Sequence, residues 1–190
     1  NYIYVDTGAM YRAMALYMIE HKIDVSHLDE VGSACDAITI DIQYSAGEQQ
    51  VILNGKNVND FIRTETVSEM SSKISAILEV REKLLSLQRS LAAAENVIMD
   101  GRDIGTHVLP NADVKIFLTA DAHVRAVRRY EEFIAKGVSC TLENVEREVI
   151  ERDERDMNRA IAPLKQAEDA VRVDTSAMTI EEVVCYLKNL

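Results

Sequence analysis

One stretch of sequence decides the fold: Tyr2-Ile3-Tyr4-Val5-Asp6-Thr7-Gly8. Its first four residues are apolar or aromatic and favour extended structure, which predicts a short buried strand. Asp6-Thr7-Gly8 then leads into a segment in which Tyr11, Met14 and Met18 recur at helical spacing. The stretch therefore predicts one step from a β-strand into an α-helix.

Three further segments repeat this plan, at residues 96–99, 114–118 and 170–173. Each is a short apolar run that ends in an aspartate and small residues, and a helix can follow each run. Strands that alternate with helices form a parallel sheet covered by helices on both faces, and such sheets bind ligands at the carboxyl ends of their strands. We therefore expect an α/β fold with its site at those strand ends.

One region departs from this alternation. Residues 38–42 alternate apolar and polar side chains with period two, and a turn is predicted at Ser45-Ala46-Gly47. Residues 51–53 resume the pattern and end at a second predicted turn, Asn54-Gly55. This region is predicted to form a small antiparallel insert.

The remaining apolar periodicity is helical. Residues 67–78 and 80–91 keep apolar side chains at helical spacing and predict two helices or one bent helix. A long charged segment, residues 124–159, is also predicted to be helical and is interrupted by Gly137. Because few apolar residues lie between 142 and 158, we expect this segment to be mobile, like a lid.

The length of 190 residues is enough for one substantial core with insertions. We assign residues 1–36, 64–123 and 161–190 to this core, the last of them with the final strand and a C-terminal helix. Residues 37–63 form the predicted insert, and residues 124–160 form the predicted lid.

Composition limits the classes of function. The chain has 21 basic and 32 acidic residues, a net charge of −11, so binding to nucleic acid or to an anionic membrane is disfavoured. No apolar run approaches the roughly 18 residues that a membrane span needs. The three cysteines are scattered and lack CxxC spacing, which argues against a disulfide framework or a zinc site. We expect a cytoplasmic protein.

Two groups of charged residues follow predicted strands. Arg12 lies one helical turn after Asp6-Thr7-Gly8, from where its guanidinium can reach a ligand at the strand end. Asp100-Gly101-Arg102-Asp103 ends another predicted strand, where α/β folds place their sites. The alternatives are a surface arginine paired with a neighbouring acid and a turn of solvated charges.

A third group lies near the end of the predicted lid. Arg152, Arg155, Asp156 and Arg159 are spaced i, i+3, i+4 and i+7, which places three guanidinium groups and a carboxylate on one helix face. Planar guanidinium groups match phosphate oxygens, so this face suits phosphate binding. The alternative is an exposed helix stabilised by ion pairs.

Arg125, Arg128 and Arg129 form a second basic cluster in the lid. The cluster could contact a nucleoside triphosphate, or it could be a solvated helix face. The four histidines show no metal-ligand spacing, and no nucleophile and base pair is evident, so metal-dependent hydrolysis and nucleophilic catalysis are poorly supported. Clustered arginines with a lid indicate phosphoryl transfer, which depends on positioning and charge neutralisation.

Three long motifs now allow a comparison with a known family, because their order and spacing resemble those of bacterial cytidylate kinases across nearly the whole chain. The motifs are Tyr4-Val5-Asp6-Thr7-Gly8-Ala9-Met10-Tyr11-Arg12, Asp100-Gly101-Arg102-Asp103-Ile104-Gly105-Thr106, and Glu151-Arg152-Asp153 through Arg159-Ala160-Ile161-Ala162-Pro163-Leu164. The resemblance implies a P-loop nucleoside monophosphate kinase-like fold with an insert at the monophosphate site. It also implies transfer of the ATP γ-phosphoryl group to CMP or dCMP with Mg²⁺, by a protein expected to be a monomer.

The resemblance implies roles for individual residues of the acceptor site. Three arginines would hold the acceptor phosphate: Arg12, Arg102 and Arg159. Three residues would bind the base: Ser72, Arg81 and Asp103. An arginine donates to O2 and N3 of cytosine, whereas a carboxylate and a hydroxyl accept from its N4 amino group.

Further roles concern the ribose and the ATP side. Arg152 and Asp156 would contact the ribose, and Thr7 would line the same pocket. Arg155 would move with the lid toward the transferring phosphoryl group, and Arg128 would join it on the ATP side. Among the arginines, the resemblance implies a catalytic role for Arg102, Arg155 and Arg159.

The chain departs from the family in one respect. The family has a glycine-rich phosphate loop, but no GxxxxGK[ST] motif occurs in these 190 residues. The Gly-Lys pair at Gly55-Lys56 is followed by Asn57 in a predicted turn. Since the sequence starts at Asn1, we expect the family's first strand, its loop and most of a helix to precede that residue, and we expect the 190 residues alone to be inactive.

Two other functions stay open. The first is another small-molecule kinase of the same architecture, for uridylate or shikimate, and the base selectivity at Ser72, Arg81 and Asp103 separates it from a cytidylate kinase. The second is a non-catalytic module that binds a nucleotide or a protein partner, whose mark would be CMP binding without turnover.

Overall fold

A computed structural model describes residues 2–190 and shows a mixed α/β chain, which confirms the predicted fold class. The chain divides into two compact units, the first ending at Ile104 and the second comprising Gly105–Leu190. In chain order the elements are β1 (Ile3–Asp6), α1 (Thr7–Glu20), α2 (Leu28–Ala37), β2 (Ile40–Ser45), β3 (Glu48–Leu53), β4 (Lys56–Asn57), α3 (Glu65–Ile74), α4 (Leu78–Ala94), β5 (Val97–Asp100), a π-helical turn (Ile104–Val108), β6 (Ile116–Thr119), α5 (Ala122–Ala135), α6 (Leu142–Asn158), β7 (Val171–Asp174) and α7 (Ile180–Leu187).

In the first unit, β1 and β5 pair in parallel, with Ile3 opposite Val97 and Asp6 opposite Asp100. The strand-to-helix step predicted from the opening stretch is confirmed, since β1 ends at Asp6 and α1 begins at Thr7. The side chain of Asp6 caps α1 by accepting a hydrogen bond from the N–H of Ala9. A carboxylate at this position satisfies a free N–H of the first helical turn and interacts favourably with the positive end of the helix dipole.

Helix α1 is the centre of the first unit's core. Met10, Met14 and Met18 are fully buried, and small alanines between them let neighbouring elements pack closely. The helices predicted from the periodicity of residues 67–78 and 80–91 correspond to α3 and α4. A short break separates the end of α3 from the start of α4. Both helices contribute buried apolar residues to the same cluster as α1.

The predicted antiparallel insert is confirmed as a three-stranded sheet with the order β2-β3-β4. The first turn places Ala46 and Gly47 at φ of 52° and 84°, and the second places Asn54 and Gly55 at 47° and 82°. Two consecutive residues with positive φ are the hairpin turn that matches strand twist, and asparagine and glycine accept it at the lowest cost. Alternate residues of β2 and β3 are buried in the core around α1.

In the second unit, β6 and β7 pair in parallel, with Ile116 opposite Val171. The charged segment forms two helices, α5 and α6, separated at Gly137, whose φ is 73°. These helices share a small core that includes Ala126, Val145 and Val149. The predicted interruption is therefore confirmed, whereas the mobility of this lid stays a prediction.

Four features were not predicted from the sequence, the first being the short strand β4. Residues 28–37, which form α2, were assigned no element, and the turn Ile104–Val108 is π-helical. The strands β5, β6 and β7 each start and end one to two residues after the predicted run. As a result, Asp100 and Asp174 are the last residues of their strands and not the residues that follow them. The predicted domain boundaries stay predictions. Among residues 2–190, no helix combines the length and the apolar character needed to cross a membrane.

Candidate active site

The carboxyl ends of β1 and β5 place two carboxylates side by side in the first unit, because Asp6 and Asp100 are partners in the parallel register. The hydroxyl of Tyr4 donates a hydrogen bond of 2.9 Å to Asp100 Oδ1. Desolvation by surrounding protein raises the pKa of the Asp100 carboxyl, and the nearby Asp6 acts in the same direction, while the Tyr4 hydroxyl opposes it. Desolvation and the Asp100 charge together raise the pKa of the Tyr4 hydroxyl.

Asp6 also orients Arg12, a residue predicted to bind the acceptor phosphate. Its Oδ2 lies 2.8 Å from Arg12 Nη2, and both side chains are less than one-fifth exposed. Arg63, which is largely exposed, approaches the same oxygen at 3.5 Å. The Nε of Arg12 is buried and has no hydrogen-bond partner among the described residues. One edge of the Arg12 guanidinium is therefore held by Asp6, whereas Nε makes no hydrogen bond to the described residues.

Thr7 and Gly101 bring β1 and β5 into close contact. The hydroxyl of Thr7 donates to the carbonyl oxygen of Asp100 at 2.7 Å. A Cβ at position 101 would lie 2.6 Å from Thr7 Oγ1 and 2.8 Å from Ile104 Cδ1, so only glycine fits there without a shift. Arg102, the next residue, is exposed. The motif Asp100-Gly101-Arg102-Asp103 therefore combines a steric requirement with charged groups.

Arg81 and Asp103 form a nearly fully buried ion pair, Nη2 to Oδ2, with 6% and 7% of their side chains exposed. Arg81 Nη1 also donates to the carbonyl oxygen of Ser75 at 3.0 Å, and its guanidinium lies 6.0 Å from the ring centroid of Tyr11. The hydroxyl of Ser75 in turn donates to the carbonyl oxygen of Ser72. These contacts connect the three residues that were predicted to bind a base.

The same group retains unused hydrogen-bonding capacity. Arg81 Nε and Ser72 Oγ are buried and have no hydrogen-bond partner among residues 2–190. Buried polar atoms are nearly always satisfied in folded proteins, and each unsatisfied one needs an explanation. A bound polar ligand that accepts from Arg81 and bonds to Ser72 would supply it.

The second unit holds the predicted arginine stripe. Asp156 is buried, with its carboxylate 4.0 Å from Arg152 Nε and 3.8 Å from Arg159 Nη1. Arg155 is exposed. Helix α6 ends at Asn158 and Arg159 is its capping residue, but the Arg159 side chain still lies beside Asp156, as the predicted stripe requires. Its Nε donates to the carbonyl oxygen of Ala162 at 2.8 Å, which holds the side chain beside Asp156.

The second basic cluster is engaged within its own unit. Arg125 makes two hydrogen bonds to the Asp153 carboxylate and links α5 to α6. Arg128 Nη2 donates to the carbonyl oxygen of Thr175 at 2.7 Å, and Arg129 pairs with Glu148 at 3.6 Å. These contacts stabilise the packing of α5. The role of Arg128 on the ATP side stays a prediction.

The Gly-Lys pair noted in the sequence, Gly55-Lys56, lies at a hairpin turn and not in a phosphate loop. Gly55 lies in the turn between β3 and β4, and Lys56 Nζ lies 4.8 Å from the ring centroid of Phe61. Gly55 therefore forms part of the turn, and Lys56 contacts Phe61.

Residues 2–190 contain no group of three or more histidine, cysteine or acidic side chains arranged to hold a metal ion.

Three residues were missed by the sequence analysis as members of the site: Tyr4, Asp6 and Gln49. Tyr4 and Asp6 belong to the stretch that predicted the first strand, and the position of Asp6 at its carboxyl end was a usable signal. Gln49 lies in the insert, and its contact with Asp6 spans 43 residues. No local pattern reveals such a contact.

Comparison with known proteins agrees with the motifs. The profile of the cytidylate kinase family matches residues 1–189. The cytidylate kinase of Lactobacillus johnsonii is 46% identical over 190 residues, which cover 100% of this chain and 83% of the relative. The cytidylate kinase of Carboxydothermus hydrogenoformans is 48% identical over 189 residues, covering 98% and 84%. That of Bacillus cytotoxicus is 45% identical over 184 residues, covering 97% and 82%. This chain therefore belongs to the cytidylate kinase family.

Proposed function

We propose that this protein transfers the γ-phosphoryl group of ATP to CMP or dCMP and releases CDP or dCDP. The observation that carries the proposal is the buried pair of Arg81 and Asp103, accompanied by the unsatisfied Arg81 Nε and Ser72 Oγ. A cytosine base would complete these bonds. Its O2 and N3 accept from an arginine, and its N4 amino group donates to a carboxylate and a hydroxyl. Uracil presents an acceptor at position 4 and would leave the carboxylate facing an oxygen.

The acceptor phosphate is assigned to arginines. Arg12 supports this assignment directly, since Asp6 holds Nη2 and leaves Nε unbonded among the described residues. Arg102 and Arg159 take the same role on the strength of the shared motifs. Guanidinium groups would neutralise the charge of the phosphate, whose oxygen attacks the γ-phosphorus of ATP. No strong base is needed, because that oxygen is already ionised.

Residues of the second unit are assigned to the ribose and the transferring group. Asp156 would accept a hydrogen bond from the 2′-hydroxyl of CMP, and Arg152 would contact the sugar beside it. Arg155, exposed on α6, would approach the transferring phosphoryl group with the lid. Arg128 would act on the ATP side, and Thr7 would line the acceptor pocket. These roles rest on the motifs shared with the family.

Mg²⁺ is proposed as the ion that accompanies ATP. Such an ion is commonly held by one or two carboxylates together with substrate phosphates, so a cluster of three protein ligands is unnecessary. The carboxylate of Asp100, at the end of β5 and beside Asp6, has the required chemistry. When bound, Mg²⁺ would neutralise charge on the phosphate oxygens.

We propose that turnover requires a phosphate loop, of which these 190 residues contain no motif. A kinase of this class holds the β- and γ-phosphates with backbone N–H groups and a lysine of that loop. The sequence contains no such motif, so we propose that these residues bind CMP but turn over only as part of a polypeptide that carries the loop. We further propose that the protein acts as a monomer in the cytoplasm.

The decisive experiment is a coupled assay of ADP release with ATP-Mg²⁺, in which CMP, dCMP, UMP and AMP are offered in parallel to the product of the complete gene. Turnover restricted to the cytidine nucleotides is expected. Preference for UMP would instead support a uridylate kinase. Binding of CMP without turnover would support a non-catalytic module.

A further inference from the structure

The insert contacts the end of β1 through two neighbouring side chains. Gln49 on β3 accepts a hydrogen bond from the backbone N–H of Asp6 at 2.8 Å and donates through Nε2 to the Asp6 carbonyl oxygen at 3.3 Å. Tyr44 on β2 donates to the carbonyl oxygen of Tyr4 at 2.9 Å. Tyr44 and Gln49 are cross-strand partners in the insert. A paired rung of the insert therefore binds two alternate residues of β1.

The Asp6 carboxylate connects this contact to Arg12, the residue assigned to the acceptor phosphate. Its Oδ1 accepts from the N–H of Ala9 at 2.9 Å, and its Oδ2 accepts from Arg12 at 2.8 Å. The backbone position of Asp6 thus determines where the carboxylate lies, and the carboxylate determines where the Arg12 guanidinium lies. A displacement of Asp6 would move Arg12, whereas Arg81 on α4 would keep its position, because it is held by Asp103 and by the carbonyl oxygen of Ser75 at the end of α3.

We propose that Gln49 is a positioning residue for the acceptor phosphate: it fixes the Asp6 backbone and, through the Asp6 carboxylate, aims the Arg12 guanidinium. This inference rests on the proposed function, because it takes the acceptor to be a nucleoside monophosphate. It adds a residue of the insert to the determinants of phosphate binding.

The chemistry of glutamine fits this role. Its side-chain amide supplies one acceptor and one donor, which match the N–H and the carbonyl oxygen of a single residue. A glutamate would keep the acceptor but would place negative charge against the Asp6 carbonyl oxygen and near the Asp6 carboxylate. A leucine of similar size would leave both backbone groups without their present partner.

The test compares CMP with cytidine in calorimetric titrations of the wild-type protein and of Gln49→Leu. Loss of two hydrogen bonds of ordinary net strength is expected to weaken CMP binding by about tenfold. Cytidine, which lacks the phosphate, should bind equally well to both proteins. The matched control is Gln43→Leu, since the Gln43 side chain on the neighbouring strand donates to Asp41 within the insert. This control should leave both affinities unchanged.

Two outcomes would overturn the inference: equal weakening of CMP and cytidine, which would mean a general structural role, or no weakening of either. If Gln49→Leu does not fold, the same titrations are made with a second variant, Gln49→Glu. It should weaken CMP binding by at least as much and still leave cytidine binding intact.

A failure of the proposed function is distinguishable from a failure of this inference. If the wild-type protein binds neither CMP nor cytidine, the proposed function is overturned, and inorganic phosphate becomes the probe. Weaker phosphate binding by Gln49→Leu than by the wild type would then still support the positioning role. Equal phosphate binding by the two proteins, or none by either, would overturn it.

Discussion

Asp6 and Asp100 end adjacent parallel strands as direct partners in the register, so two carboxyl groups lie next to each other at the carboxyl edge of this strand pair. Each is held by a different neighbour. Arg12 pairs with Asp6, whereas Tyr4 donates to Asp100. The arrangement concentrates negative charge beside the arginine assigned to the acceptor phosphate. Desolvation, together with the neighbouring Asp6, raises the pKa of the Asp100 carboxyl.

The first prediction concerns the pH dependence that follows from this shift. Because desolvation raises the pKa of the Asp100 carboxyl in the folded protein, the folded state binds its proton more tightly than the unfolded state does. Stability from this group therefore falls as pH rises through the range in which Asp100 ionises. Asp100→Asn, which keeps the acceptor for Tyr4, should be more stable than the wild type at pH 7 in urea unfolding. The difference should vanish as the medium becomes strongly acidic.

Asp24 supplies a control of opposite sign. Hydrogen bonds from the backbone N–H and the hydroxyl of Ser26 lower the pKa of the Asp24 carboxyl. Its contribution is present above the ordinary carboxyl range and is lost on acidification. Asp24→Asn should therefore destabilise the protein at pH 7 and have no effect in acid. The same sign for both variants would contradict the assignment.

The second prediction concerns the contact between β1 and β5. Gly101→Ala would place a methyl group 2.6 Å from Thr7 Oγ1 and 2.8 Å from the side chain of Ile104. Relief of this overlap should lower the free energy of unfolding by about 1–3 kcal/mol. The matched control is Gly32→Ala in α2, where the added Cβ would have no described heavy atom within 4 Å apart from its chain neighbours and the backbone of its own helix. It should raise stability by about 0.5–1 kcal/mol, and equal effects of the two variants would refute the steric argument.

The third prediction concerns the buried pair of Arg81 and Asp103. Asp103→Asn keeps the side-chain volume but removes the charge that compensates the buried guanidinium. Breaking a buried pair in this way should lower the free energy of unfolding by about 3 kcal/mol. Urea unfolding is the measurement. Glu30→Gln, in the exposed pair with His27, should change stability by less than about 0.5 kcal/mol. A loss for Asp103→Asn no larger than that of the control would contradict the prediction.

The fourth prediction concerns the ribose. If Asp156 accepts from the 2′-hydroxyl, Asp156→Ala should reduce kcat/KM for CMP more than for dCMP. A hydrogen bond to a charged group is worth about 1.5–3 kcal/mol, so the ratio of the two values should fall by about tenfold or more. Asp153→Asn is the matched control on the same helix, since Asp153 pairs with Arg125 instead. An unchanged ratio in Asp156→Ala would remove Asp156 from the ribose site.

Local features of this protein were predictable because their causes are local. Two turns of positive φ follow from Ala46-Gly47 and Asn54-Gly55, and the break in the charged segment follows from Gly137. Short apolar runs identified the parallel strands, period two identified β2 and β3, and helical spacing identified most helices. Helix α2 was missed because it has few apolar residues to show helical spacing. Two of them, Val31 and Cys35, pack against the core around α1.

The sequence by itself determined the alternation of strands and helices, the antiparallel insert, the acidic charge and the three motifs that indicate the family. Only the tertiary structure decided which charged groups meet. The Arg81 and Asp103 pair spans 22 residues, and the Gln49 contact with Asp6 spans 43. Periodicity reports which face of an element is buried, but it carries no information about partners on other elements. Those partners are chosen by the packing of the whole core, where a buried charge or backbone group must find its counterpart.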